Sequence, residues 1–344
     1  MRKSSRALTA SVVVKATLLT AGTIAGLVIQ AAPASADELI CGQWVRGAIL
    51  DKFKSMGGTD SPLGCPTTEE RRTPDGRGYY SHFQGGSIYW SAQTGAHPVW
   101  GAIRDKWASS GWEAGKLGFP VEDELPNPDG EGRRQRFEGG TFYWHPTKTN
   151  GAHAMLGRIG QLWGEYGWEG GAFGYPVTDE MAVPNVAAAG NGIGQLFERG
   201  QRIVWSPGNP NAYETCTSEC VGYTGYPNTS WVDRTEVYKN LATGKRSVHV
   251  SPTAAGYKDA DSNFDELWRQ VWNRTPYPVD MSQTQVNTVA KQLWCHALYA
   301  YDIPIKGHLG GDTWDLEMWK PDVPWNDVID PQKVLQNRCL NNVQ

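Results

Sequence analysis

Apolar positions fall into three blocks with the same internal order, after which the period changes. In each block an aliphatic and an aromatic residue stand four apart: Ile49 and Phe53, Ile103 and Trp107, Ile159 and Trp163. Four residues is one helix face, so the spacing predicts three short amphipathic helices. Gly57, Gly111 and Gly167 follow at a constant offset and end each helix, because glycine takes the left-handed cap without steric cost. A sharp turn comes next: Leu63-Gly64-Cys65-Pro66, then Leu117-Gly118-Phe119-Pro120, then Phe173-Gly174-Tyr175-Pro176. Paired acids follow at Glu69-Glu70, Asp123-Glu124 and Asp179-Glu180, and an aromatic-rich alternation begins at Phe83, Phe137 and Phe197. A Gly-Gly pair interrupts the first two alternations, which predicts tight hairpins. The third is one residue longer and carries Arg199-Gly200, which predicts a bulged turn.

The blocks superimpose at shifts of 54 and 56 residues, giving repeats over about 41–95, 96–150 and 151–213. Gly95-Ala96-His97 and Gly151-Ala152-His153 read as connectors, with each histidine opening the next helix. A unit this small cannot bury its own aromatic face, so neighbouring units must complete the core. Asn211-Ala212-Tyr213 and Thr224-Gly225-Tyr226-Pro227 echo a fourth start and turn, so 214–229 reads as a linker or degenerate cap.

From residue 230 onward Thr235 to Lys239 and Ser247 to Val250 predict a hairpin. Phe264, Leu267, Trp268, Val271 and Trp272 predict one amphipathic helix, and residues 282–301 a second. Trp314 to Trp319 alternates as a strand. The fold class expected is α+β: tandem helix-turn-hairpin repeats, in a propeller-like or solenoid arrangement, then a small α+β domain over 230–344 held by disulfides.

At the start, Arg2, Lys3, Arg6 and Lys15 precede an apolar stretch and Ala34-Ser35-Ala36, which reads as a signal peptide over 1–36. Its removal takes four of 32 basic side chains and none of 36 acidic ones, leaving a net charge of −8. That balance argues against a nucleic-acid partner. No further apolar run is long enough to span a bilayer, so no transmembrane segment is expected in the mature chain. Six cysteines in an exported chain point to disulfides. Proximity favours Cys41 with Cys65, Cys216 with Cys220 and Cys295 with Cys339. A metal site would need a second ligand pair near Cys216 and Cys220, and none is present, so neither metal nor cofactor is expected.

The three blocks resemble LGFP repeats, and the turns Leu117 to Pro120 and Phe173 to Pro176 carry the resemblance. It implies an exported actinobacterial protein attached to the cell envelope, with non-catalytic engagement of a wall polysaccharide such as galactan or arabinogalactan. Copy one departs from the pattern, with Cys65 where the aromatic belongs, and reads as a stapled end. Gln292-Leu293-Trp294-Cys295-His296, the Trp314 to Pro321 segment and Cys339 resemble an exported domain family of unknown function over 226–342, which leaves a protein partner open.

Sugar rings present apolar faces edged with hydroxyls, which an indole or phenol with a wet polar tip complements. The ligand-binding candidates are therefore Trp112, Leu117, Gly118, Phe119, Pro120, Asp123, Glu124, Trp144, Trp168, Gly174, Tyr175, Pro176, Asp179 and Glu180. Catalysis has only His249, His296 and Glu317 to draw on, with no recognisable nucleophile motif. The alternatives are an envelope-anchored hydrolase or transferase acting through the C-terminal domain, and a protein-binding or cross-linked matrix component.

Overall fold

The computed structural model describes residues 37–183, 191–208, 218–299, 302–303, 307–308, 313–337 and 339. The expected signal peptide, Cys216 and the Asn211 to Tyr213 echo lie outside them. A short ribbon, β1 (Glu38–Ile40) and β2 (Gln43–Val45), leads into α1 (Gly47–Ser55). Ile49, Leu50 and Phe53 bury one face of α1, and Gly57 ends it in the left-handed conformation. The first repeat then forms an antiparallel sheet of β3 (Arg71–Arg72), β4 (Gly78–His82), β5 (Gly86–Ser91) and β6 (Gly95–Trp100). The Gly95 connector is thus a strand, and His97 lies on it instead of opening a helix.

The order recurs with α2 (Gly101–Ser109), β7 (Leu125–Pro126), β8 (Arg133–Phe137), β9 (Gly140–Trp144) and β10 (His153–Met155). It begins again with α3 (Gly157–Glu165), β11 (Met181–Val183), β12 (Gly192–Leu196) and β13 (Arg202–Ser206). The third sheet does not stop there. β14 (Cys220–Gly225), β15 (Val232–Asn240) and β16 (Arg246–Pro252) continue it. After α4 (Ala254–Asp259), α5 (Phe264–Val271), α6 (Gln283–Tyr299) and the small pair β17 (Asp302–Ile303) and β18 (Gly307–His308), β19 (Trp314–Glu317) completes seven strands. Two short helices, α7 (Trp325–Ile329) and α8 (Pro331–Asn337), follow. The interval expected as a linker therefore holds a fully buried strand, because β13 would otherwise end with an unpaired edge. The sheets are open, giving mixed helix-and-sheet repeats without a propeller or solenoid being shown.

Each turn aromatic packs against the preceding repeat. A Cβ on Gly78 would lie 2.8 Å from the Phe119 ring, and one on Gly132 would lie 2.1 Å from the Tyr175 hydroxyl. The Tyr175 hydroxyl donates to Asp129 at 2.6 Å and accepts from Asn127 at 3.1 Å, both in the second repeat. In copy one, the first among the described residues, Cys65 bonds to Cys41. The turns themselves are held by a recurring side chain that sequence patterning overlooks. Gln84, Glu138 and Glu198 accept the backbone N–H of Cys65, Phe119 and Tyr175 at 3.1, 2.9 and 3.2 Å.

One core joins the third repeat to the C-terminal domain: Trp163, Phe173, Tyr175, Tyr223, Val248, Leu267, Leu293 and Trp314 belong to a single buried cluster. The Tyr166 hydroxyl donates to that of Tyr223, and Arg246 pairs with Asp280 at 2.8 Å and with Glu165 of α3 at 3.9 Å. Cys295 and Cys339 are bonded, tying α6 to the tail. Cys220 is also in a disulfide.

Candidate functional site

The expected ligand residues divide by burial. Leu117, Gly118, Phe119, Pro120, Gly174, Tyr175 and Pro176 are all buried, and Phe119 and Tyr175 are completely so. Their positions as keys between repeats explain the burial, and they shape a surface without forming it. Trp144 is half-buried. Trp112 and Trp168 occupy the same left-handed backbone position, at φ 55° and 52°, where copy one has Gly58. Trp112 stacks on Tyr89 at 5.9 Å beneath the Arg104 guanidinium, whereas Trp168 is 56 % exposed. Gly160 stands where Arg104 would cover the ring, and Gly164 lets the indole lie close, with its nitrogen 3.1 Å from a built Cβ.

Within the second and third acid pairs the two carboxylates do different work. Asp123 bonds His97 at 2.7 Å and pairs with Lys52 of the first repeat's helix, and Asp179 bonds His153 at 3.3 Å and pairs with Lys106 of the second's. These aspartates are clasps between repeats. The His153 hydrogen bond, with Lys106, holds Asp179 down at about 2. Glu70, Glu124 and Glu180 are partly buried, and that burial raises all three above the ordinary glutamate value.

Between the second and third repeats lies a groove of about 280 Å³. Its walls are Lys106, Ser110 and Lys116 on one side and Asp179 and Glu180 on the other, over a floor of Leu117, Ala154 and Leu156. At the preceding junction Trp100 takes the place of Leu156. Its side chain packs on the first repeat's core and hydrogen-bonds Glu124, the counterpart of Glu180. A second cavity, of about 340 Å³, is lined by Arg46, Gly47, Glu70, Tyr79 and Trp90 in the first repeat. Such walls offer hydroxyl donors and acceptors above an apolar floor.

Of the catalytic candidates, two reach the same face of the sheet and the third does not. His249 and Glu317 share one face of the sheet with Asp315, while His296 stacks on Trp314 from the α6 side, where burial lowers it to about 4. Ser247, missed in the sequence, bonds His249 Nε2 at 2.8 Å, and His249 Nδ1 bonds Asp315 at 2.8 Å. That is the connectivity of an acyl-transfer triad, but its orientation to solvent is inverted. Ser247 is fully buried and the Asp315 side chain is 29 % exposed, so the hydroxyl is the inaccessible end. Burial acts to raise the Asp315 carboxyl, but the His249 bond carries it below the usual range. Lys320 pairs with Glu317 at 3.5 Å. Among the described residues no acidic, histidine or cysteine cluster could hold a metal, and no helix is long and apolar enough to cross a membrane.

No curated protein matches the chain. Residues 63–115 and 117–171 match the LGFP repeat family, and residues 227–339 match a family described as a protein of unknown function, DUF2599. The repeats suggest association with the cell envelope, and the two disulfides joining described residues fit an extracellular protein. With matching turns, clasps and helices in register, the chain carries tandem LGFP repeats joined to a C-terminal DUF2599 domain.

Proposed function

We propose that the protein is a secreted, non-catalytic envelope component that binds a wall polysaccharide through its repeats, with the groove between the second and third as the principal site. The observation that carries this reading is the difference between the two junctions. The same clasp, Lys–Asp–His, is built at both, but where Trp100 hydrogen-bonds its glutamate at the first, Leu156 lines an open groove at the second. Glu180 and Asp179 accept hydroxyl hydrogen bonds, Lys116 and Ser110 donate them, and Leu117 and Leu156 meet the apolar face of a sugar ring. Trp168 offers a separate bare ring on the same repeat. Partial burial of Glu180 favours a neutral ligand, since a charged one would be desolvated against it.

The test exchanges the two side chains. Leu156→Trp should close the open groove and lower affinity for soluble arabinogalactan by at least about tenfold. Trp100→Leu should open the other and raise binding. Isothermal titration with the full mature chain reads both, and unchanged affinity in both variants would sink the proposal.

A further inference from the structure

The C-terminal domain carries a line of aromatic rings that the repeat groove does not involve. Trp325 of α7 meets Phe264 at 5.8 Å, Phe264 meets Trp268 at 6.1 Å, and Trp268 meets Tyr277 at 6.0 Å. Trp294 backs Phe264 at 5.4 Å, and Trp272 backs Tyr277 at 4.3 Å. The spacing along α5 explains the division: Leu267 and Val271 face the core and are completely buried, while Phe264 and Trp268, four apart, lie on the shoulder of the same helix. Both ends of the line are exposed, Tyr277 and Trp325 each at 44 %.

We infer that this aromatic track is a second carbohydrate-binding site, one that takes a neutral, hydroxyl-rich polymer. Two of the cations beside it are already matched. Arg269 pairs with Glu266 at 2.6 Å, Lys291 pairs with Asp322, and the Lys291 ammonium lies 5.5 Å from the Trp325 ring centre. Paired in this way, those two cations have little net charge to offer a polyanion, but with their carboxylates they still present donors and acceptors to hydroxyls. A row of partly exposed rings suits a ligand whose apolar faces recur along a chain. The inference does not depend on the groove between the repeats.

The test is affinity electrophoresis of the full mature chain carrying Leu156→Trp, through native gels containing soluble arabinogalactan, dextran or polygalacturonate. Retardation by a neutral glycan should persist in this background. Tyr277→Ala and Trp325→Ala should each weaken it by about tenfold, while Tyr277→Phe, which keeps the ring, should not. Near-UV circular dichroism checks the fold of each variant, and glycan protection of tryptophan fluorescence from iodide quenching gives a second reading. No retardation by either neutral glycan, retardation by polygalacturonate alone, or retardation indifferent to both alanine variants overturns the assignment.

Discussion

Trp112 and Trp168 sit in a backbone region that bulky side chains avoid, at a cost of about 1–3 kcal/mol each. For Trp112 the stack on Tyr89 and the contact with Trp107 at 5.2 Å offset that strain. Trp168 has little such compensation. Trp168→Gly should therefore leave stability unchanged or raise it by up to about 1 kcal/mol, whereas Trp112→Gly should lower it, as read by urea unfolding. The neighbouring acids make a second residue-level prediction. Asp179 titrates at about 2 when folded, below its ordinary 3.8, so its contribution is present above pH 3.8 and is lost as pH falls through 2. Asp179→Asn should flatten that stretch of the stability curve. Glu180 runs the other way: raised by burial, it favours the fold at low pH and loses that contribution as pH rises through its folded value. Fluorescence-monitored unfolding across this range checks both signs. The sequence already marked these positions as candidates, but not that Asp123 and Asp179 are each spent on a clasp, because the lysine lies over 70 residues away.

Among elements, the helices, turns and hairpins were legible because local spacing dictates them. Gly57, Gly111 and Gly167 cap the helices as their offset implies. Phe119 and Tyr175, expected among the ligand-binding residues, are fully buried because their pockets belong to the preceding repeat, which no window of the sequence displays. Cys65 was the available clue: where the other turns carry a ring that enters the preceding repeat, copy one carries a disulfide to Cys41. The Gly-Gly hairpins were recognised as turns, but packing sets a further demand on them. A Cβ on Gly139 would fall 2.2 Å from the Lys116 carbonyl oxygen, across the gap where the hairpin bonds the sharp turn. Gly139→Ala should thus destabilise the protein by roughly 1–3 kcal/mol, measurable as a shift in the urea midpoint.

For the molecule as a whole, composition and change of period revealed two regions, but not that they share a sheet. β14 pairs with β13 from Arg202 to Ser206 on one side and with β15 on the other. Strand partners across the 206–220 interval leave no local signature, and Gly222 is found where a Cβ would meet Val237 backbone at 2.2 Å. A fragment ending at residue 213 lacks that strand, so its β13 amides should lose hydrogen-exchange protection relative to the full chain. The shared ladder also governs how the protein would bear load. If one end of this ladder is held and the other is pulled, tension passes through rows of backbone hydrogen bonds instead of a slack tether, so the joint between repeat and C-terminal domain resists bending.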